Sequence, residues 1–188
     1  MERVASIQKV MAGIFLMFFI FGCGTSKPVV KQEIPTLKPD VPFKVVVLSN
    51  RLDNTYRVGE DIHFYFTSNK DCYMTLINMR PDGKVRIILP NQSQKGNHAK
   101  AGFIYRIPSQ RANFKFKAQG SGGVEIVRAI ATLEDIPLFD TSCCINTYGS
   151  IQEIVMDRDM FEREMYRRLN YLGAGQWAEY RMALRIAN

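Results

Sequence analysis

The sequence contains few of the residues that build metal sites and catalytic centres. His63 and His98 are the only histidines among 188 residues, and they do not have a spacing such as His-x-x-x-His that would support a zinc site. The segment Gly120-Ser121-Gly122-Gly123 lacks the lysine and the helix that follow a phosphate-binding loop, and no Gly-x-Ser-x-Gly elbow occurs. The sequence therefore predicts no metal, no cofactor and no catalytic residue.

Long apolar runs are scarce as well, and the longest one lies near the N-terminus. Residues 11–21 are almost all apolar, they follow Arg3 and Lys9, and Gly22 and Cys23 come directly after them. The run is too short for a membrane-spanning helix, which needs about 20 apolar residues. A positive start followed by a short apolar run is typical of an export signal that is removed from the mature protein.

The residues Ile20-Phe21-Gly22-Cys23 resemble the lipobox of bacterial lipoproteins. The resemblance implies that residues 1–22 are a signal peptide, that the Cys23 sulfur takes a diacylglyceryl group, and that cleavage leaves Cys23 as the first residue. A plain secretory signal is the alternative, and it would leave Cys23 as an exposed free thiol. Gly24 is not the aspartate that typically retains lipoproteins at the inner membrane of Gram-negative bacteria, so we expect the outer membrane, facing the periplasm.

Proline and polar residues dominate the segment that follows Cys23. Residues 24–42 hold four prolines among Lys, Gln, Glu, Thr and Ser, which predicts an extended tether. Residues 43–188 have the length expected of a single domain with a continuous core.

The net charge of +7 is spread along the chain. A positive exported protein is attracted to anionic lipid, to envelope polymers or to an acidic partner. No arginine-rich arm or recognition-helix pattern is present, so nucleic acid is not an expected partner.

Short β-branched or alternating segments separated by turn residues predict a mainly β domain. The predicted strands are residues 43–48, 61–67, 73–78, 84–89, 102–107, 113–118 and 124–133. Residues 124–133 are largely apolar on both faces, which indicates a central strand. Helical crossovers are missing between the strands, so the pattern favours an antiparallel sandwich over a parallel sheet.

The C-terminal part departs from this pattern. Residues 157–172 predict an amphipathic helix whose apolar stripe packs on the sheet, with a groove for a partner as the alternative. The stripe consists of Met160, Phe161, Met165, Leu169 and Leu172. Residues 177–186 alternate again and predict a closing strand, while a continued helix is the competing interpretation.

Four segments in the middle of the chain resemble an uncharacterised bacterial family known as domain of unknown function 4384. They are Tyr56-Arg57-Val58-Gly59-Glu60-Asp61, Tyr73-Met74-Thr75-Leu76, Pro81-Asp82-Gly83-Lys84-Val85 and Ile88-Leu89-Pro90-Asn91. The similarity spans about residues 43–138. It implies an immunoglobulin-like antiparallel β-sandwich, found in exported lipoproteins and as an appendage to kinases and proteases, and it implies no catalytic residues.

The residue types in the matching motifs are those that form tight turns between strands, which indicates a structural role in the fold. The turn residues are Tyr56, Gly59, Glu60, Pro81, Asp82, Gly83, Pro90 and Asn91.

Three cysteines remain once Cys23 is lipidated. An odd number in an oxidising compartment leaves at least one unpaired or paired between chains. Cys72 can form a disulfide with Cys143 or Cys144, or all three can be small buried apolar residues. Nothing in the sequence places a histidine beside a cysteine as a nucleophilic pair would require.

These observations favour a lipid-anchored binding or scaffold module of the cell envelope, without catalytic activity, that presents its sandwich to an envelope protein or polymer. A cysteine-dependent enzyme or redox protein is the first alternative. A structural subunit of a secretion or surface apparatus is the second.

Overall fold

The computed structural model describes residues 42–139, 145–148 and 150–188. In this part of the chain there are thirteen strands and one helix. The strands are β1 (Val45–Ser49), β2 (Thr55–Arg57), β3 (Asp61–Ile62), β4 (Phe64–Ser68), β5 (Cys72–Met79), β6 (Val85–Leu89), β7 (His98–Ala99), β8 (Tyr105–Ile107), β9 (Phe116–Lys117), β10 (Gly123–Thr132), β11 (Ile145–Tyr148), β12 (Ile151–Ile154) and β13 (Trp177–Ala187), and the helix is α1 (Arg158–Tyr171).

The strands form a mainly β domain with the layers of a sandwich. The large sheet has the order β11-β12-β6-β5-β10-β13-β2, with β7 paired to β5. A three-stranded sheet, β1-β4-β8, and the short pair β3-β9 complete the strands. The pairs are antiparallel as predicted, except that β2 runs parallel to β13 at the edge of the large sheet.

The strand β10 is central, as its apolar sequence predicts. It pairs with β5 on one side and with β13 on the other. Val127 and Ala129 belong to the core that faces β1 and β4, whereas Ile130 belongs to the core beneath α1. Burial on both faces explains why this strand lacks the polar alternation of its neighbours.

The larger core fills the space between the sheets. Ile62, Phe64 and Phe66 are buried there, so the predicted inward face of residues 61–67 is confirmed. Phe64 packs against Phe116 with ring centroids 5.6 Å apart, which joins the three-stranded sheet to the β3-β9 pair. Burial of such aromatic side chains stabilises the sandwich by a few kcal/mol each.

The helix α1 covers the opposite face of the large sheet. Its N-cap is Asp157, whose Oδ1 accepts hydrogen bonds from the backbone N–H groups of Asp159 (2.9 Å) and Met160 (3.2 Å). Phe161, Met165 and Leu169 are buried against the sheet. The prediction that the stripe packs as core is confirmed for these three residues.

Met160 does not share that buried face. Its side chain is 53% exposed, so its assignment to the stripe was wrong. The physical reason is the helical repeat, because Met160 precedes Phe161 by one residue and therefore points about 100° away from it.

Two predicted strands are shorter than expected. Residues 102–107 contribute only Tyr105–Ile107, because Gly102 adopts φ 76° in a turn and donates its N–H to Ser68 O at 2.8 Å. Residues 113–118 contribute only Phe116–Lys117.

The sequence did not predict β2, β7 or the β11-β12 hairpin. The closing strand after α1 is confirmed as β13.

A candidate binding site between helix and sheet

The turn motifs lie at the ends of strands and bond mainly to nearby backbone and side chains. Tyr56 is fully buried, and its hydroxyl hydrogen-bonds Ser49 Oγ at 2.7 Å and donates to Asn50 Oδ1 at 2.8 Å. Gly59 adopts φ 91° in the following turn, where glycine avoids a steric penalty. Glu60 accepts the backbone N–H of Arg57 at 2.7 Å. These contacts shape the start of the domain.

The other two motifs close the β5-β6 hairpin and end β6. Pro81, Asp82 and Gly83 form the hairpin turn, in which Asp82 Oδ1 accepts the Lys84 N–H at 3.2 Å. Asn91, which follows Pro90, is buried, and its Nδ2 donates to Ile88 O at 2.6 Å. The geometry gives these residues local structural contacts.

Cys72 is a buried thiol, and it is not bonded to another cysteine in the described part of the chain. Its Sγ lies 3.3 Å from Ser68 Oγ. Burial raises the pKa of this thiol, which favours the protonated form over the nucleophilic thiolate. Cys23, Cys143 and Cys144 lie outside the described residues, so lipidation at Cys23 and a disulfide from Cys72 to Cys143 or Cys144 stay predictions.

The two histidines have different surroundings. His63 is partly buried, and desolvation lowers its pKa. The His98 ring packs edge-on against Tyr73 with centroids 5.1 Å apart. Among residues 42–139 and 150–188, no group of three or more His, Cys, Asp or Glu side chains is placed to hold a metal ion.

Arg128 is the most unusual buried residue of the described chain. It lies in the middle of β10, on the face covered by α1, and only 1% of its side chain is exposed. A buried guanidinium is costly unless hydrogen bonds and counter-charges surround it. The structure places those groups on α1 and β13.

Two side chains accept hydrogen bonds from two of the three Arg128 guanidinium nitrogens. Its Nε donates to Glu179 Oε1 at 2.5 Å, and its Nη2 donates to the Tyr166 hydroxyl at 2.7 Å. The Tyr166 hydroxyl donates in turn to Glu179 Oε2 at 3.1 Å and accepts a hydrogen bond from Arg181. The Arg181 Nε also donates to Glu179 Oε1, at 2.8 Å. One carboxylate thus bridges two guanidiniums.

The third nitrogen of Arg128 has no hydrogen-bond partner among the residues that the structure describes. Nη1 is buried and lies 3.8 Å from Glu162 Oε1, a distance that gives charge attraction without a hydrogen bond. The same Glu162 oxygen lies 3.4 Å from Arg158 Nε. Glu162 is therefore shared between two cations, with long contacts to both.

A cavity of about 220 Å³ lies over this part of the sheet. The charged residues that line it are Arg128, Arg158, Glu162 and Arg181. The apolar ones are Met79, Ile126, Ala183 and Met182, of which Met182 has its side chain in the core between the sheets. Arg158 and Arg181 are 42% and 54% exposed, so the cavity opens to solvent between them.

The cluster has an excess of positive charge. Three arginines, Arg128, Arg158 and Arg181, face the two carboxylates of Glu162 and Glu179. Burial alone raises the pKa of Glu179, but the hydrogen bonds from Arg181 and Arg128 outweigh it and lower the net pKa. Glu179 therefore stays ionised and is the counter-charge of both Arg128 and Arg181. The arrangement suits an anion held by a buried donor beside an apolar wall.

Sequence reasoning did not identify this site. The one available signal was Arg128 itself, a charge in the otherwise apolar run from Ile126 to Ala131. Its partners Tyr166 and Glu179 come 38 and 51 residues later, on elements whose packing the sequence does not specify.

The fold and this cluster define a β-sandwich domain with a helix-covered outer face, with neither a metal cluster nor a membrane-crossing helix among its described residues. Residues 55–135 match the family model described as Domain of unknown function (DUF4384), in agreement with the resemblance seen in the sequence. The match contains Arg128 but ends before α1 and β13, so the family segment supplies only part of the site. Searches of curated proteins and of solved structures found no match.

Proposed function

We propose that this protein is a lipid-anchored binding module of the bacterial cell envelope, without catalytic activity, that recognises a carboxylate group on an envelope protein or polymer. Cys23 is the proposed lipid attachment site, and the outer membrane facing the periplasm is the proposed location. We infer the ligand class from buried Arg128. Its Nη1 has no hydrogen-bond partner among the described residues and lies beside a cavity with an apolar wall.

The chemistry of the cluster favours recognition over catalysis. Guanidinium groups do not release protons in proteins and so cannot act as general acids or bases at neutral pH. They bind carboxylates strongly because charge reinforces the hydrogen bond. An apolar wall formed by Met79 and Ile126 suits the short aliphatic stem of an acidic side chain.

Glu162 indicates how a ligand would enter. Its carboxylate is 32% exposed and occupies the space between Arg128 and Arg158 with contacts of 3.8 and 3.4 Å. Because these contacts are long, the carboxylate of an incoming ligand can displace Glu162 and take its place between the two arginines. The Glu162→Gln variant removes the competing charge, so it should bind a carboxylate ligand more tightly than the wild type.

Titration of the full-length protein in detergent micelles tests the ligand class. The probe is N-acetylglutamate α-methylamide, whose only charge is the side-chain carboxylate, with the uncharged N-acetylglutamine α-methylamide as its matched control, and the readout is the methyl NMR signals of Met79 and Ile126. We expect shifts with the acid only. The shifts should disappear in an Arg158→Gln/Arg181→Gln variant and persist in Arg163→Gln, since Arg163 does not line this cavity. Equal shifts with both probes would contradict carboxylate recognition.

Two experiments in cells test the anchor and the partner. A Cys23→Ala variant should leave the membrane fraction, and full retention would refute lipid attachment at Cys23. A photo-crosslinking residue at Ala183, on the cavity wall, should capture the same partner reproducibly. Capture should fail in the Arg158→Gln/Arg181→Gln background, and capture that is unchanged there would remove the cavity from the binding role.

A further inference from the structure

A second exposed feature lies at the point where the described chain begins. Phe103 and Ile104 are adjacent, 63% and 59% exposed, and stand in the turn before β8. Two neighbouring large apolar side chains in water are unfavourable, so their exposure calls for an occupant.

The turn that carries them is held firmly in place. Gly102 N donates to Ser68 O at 2.8 Å, and Ala101 N donates to Asp71 Oδ1 at 2.8 Å. The backbone N–H of Lys100 donates to the Tyr105 hydroxyl at 2.8 Å, and the Tyr105 ring stacks on Phe66. The apolar pair is therefore presented on a supported turn.

The same support binds the start of the domain. The Asn69 side chain accepts the Lys44 N–H at 2.7 Å and donates to Pro42 O at 3.1 Å. Lys70 lies over the Phe43 ring at 5.8 Å. Pro42 is the first described residue, so the segment leading back to Cys23 joins the domain beside the turn with Phe103 and Ile104.

Charge at this end favours an anionic surface. Lys44, Lys70 and Lys100 belong to the three segments that meet here, and Asp71 is the one acid among the described residues of these segments. Lysines beside exposed apolar side chains are the combination that binds the interface of a bilayer with anionic lipid.

We propose that this end of the domain contacts the membrane, with Phe103 and Ile104 inserted at the headgroup boundary and the lysines on anionic headgroups. The inference rests on the proposed lipid anchor at Cys23. A fully extended segment from residue 24 to 42 reaches about 60 Å, so the tether alone leaves the orientation of the domain open. Insertion of Phe103 and Ile104 fixes the orientation in which this end of the domain faces the bilayer.

The strand register shows what that orientation does. Strand β5 begins at Cys72, next to the loop that supports the turn, and ends at Met79 on the cavity wall. Seven steps of about 3.3 Å separate the two by roughly 23 Å. Contact through Phe103 and Ile104 therefore places the cavity at the end of the sheet away from the bilayer, where a partner can reach it.

Tryptophan quenching tests this orientation. The lipidated full-length protein, with its single tryptophan changed by Trp177→Phe, is placed in vesicles of phosphatidylethanolamine and phosphatidylglycerol with brominated acyl chains. A Phe103→Trp variant should be quenched at least about twice as strongly as a Val124→Trp variant. Val124 is the matched control, because it is 49% exposed and lies at the far end of the sheet, two residues before the partner of Met79.

Flotation of the same vesicles separates the two possible failures. Protein that does not float with lipid refutes the anchor, and this inference falls with it. Protein that floats but shows equal quenching at positions 103 and 124, or none at 103, overturns this inference and leaves the proposed function standing. Phe103 and Val124 are exposed, and Trp177→Phe keeps an aromatic ring beside Tyr166, so the variants are expected to fold.

Discussion

Arg128 and Arg181 lie directly opposite each other in the antiparallel register of β10 and β13. Like charges in such a pair normally repel and destabilise a sheet. Here Glu179 Oε1 accepts from both guanidiniums, at 2.5 and 2.8 Å, and so neutralises the pair locally. The stability of this part of the sheet therefore depends on one carboxylate.

The first prediction concerns that carboxylate. The Glu179→Gln variant should lower the free energy of unfolding by roughly 3 kcal/mol, because it leaves a buried guanidinium without its counter-charge. Denaturant titration at pH 7 measures the loss. The matched control is Glu164→Gln, which removes a carboxylate paired with Arg167 and Arg168 on the exposed side of α1 and should change little.

The pH dependence of this difference has a definite sign. The folded-state pKa of Glu179 is lowered from 4.5, so its stabilising contribution is complete above about 4.5 and is lost as pH falls through the folded-state value. The difference in unfolding free energy between wild type and Glu179→Gln should be constant near neutral pH and become smaller in acid. A gap that widens in acid would contradict the assignment.

Glu125 should behave in the opposite way. It is buried beside Asn78, whose Nδ2 donates to Glu125 Oε2 at 2.8 Å, and desolvation raises its pKa above 4.5 despite this bond. The folded state therefore favours the protonated acid, and ionisation at neutral pH costs stability. We expect Glu125→Gln to raise the midpoint of denaturation at pH 7.5, with the gain vanishing below the unfolded-state pKa. Arg80 Nε lies 3.6 Å from Glu125 Oε1, so a loss of stability at pH 7.5 would show that this attraction outweighs burial.

The helix should contribute to stability through one face only. Phe161→Ala should cost about 3 to 5 kcal/mol, because it opens a cavity against the sheet. Met160→Ala, one residue earlier, should change stability by less than about 0.5 kcal/mol because Met160 is 53% exposed. Thermal and denaturant unfolding measure both. Similar losses for the two variants would place the helix differently on the sheet.

Two glycines with positive φ should differ in how well they tolerate a side chain. Gly83→Ala meets backbone strain alone, at φ 80°, and should cost about 1 to 2 kcal/mol. Gly123→Ala meets strain at φ 121° and a clash as well, since its Cβ would lie 2.9 Å from Pro81 Cγ. The second variant should be clearly less stable in the same denaturation assay. Equal losses would argue against tight packing of the hairpin turn on β10.

The thiol of Cys72 should be protected in the native protein. It is fully buried and its pKa is raised, so alkylation should be slow until the chain unfolds. Mass spectrometry after labelling with and without denaturant, both without reductant, measures this directly. Rapid labelling in the native state would contradict the burial. If the unfolded chain labels at Cys72 only in a third sample that contains reductant, Cys72 is in a disulfide, for which Cys143 and Cys144 are the predicted partners.

Most of the fold could be predicted from local sequence patterns. The alternation of Ile62, Phe64 and Phe66, the apolar run of β10 and the stripe of α1 each reflect one element meeting one core, and each was readable from periodicity. The short strands were less readable. β2 lies at the sheet edge and pairs in parallel with the last strand, a contact between residues 55–57 and 185–187 that no local pattern encodes.

The candidate site was harder to predict for the same reason. Arg128, Tyr166 and Glu179 come from three elements, and only their packing makes one bridged network. The turn residues, in contrast, were visible as motifs because turn chemistry is local. Sequence thus located the scaffold, whereas the site emerges only from tertiary contacts.

The register of β5, β10 and β13 has a mechanical consequence. If an anchor holds the Pro42 end and a partner holds the Met79 end, tension between them runs along these strands. Force parallel to paired strands loads their hydrogen bonds together, so they must shear as a group and cannot open one after another. The ten-residue pairing of β10 with β13 is the longest such contact described, and it would let the domain transmit a pull without unfolding.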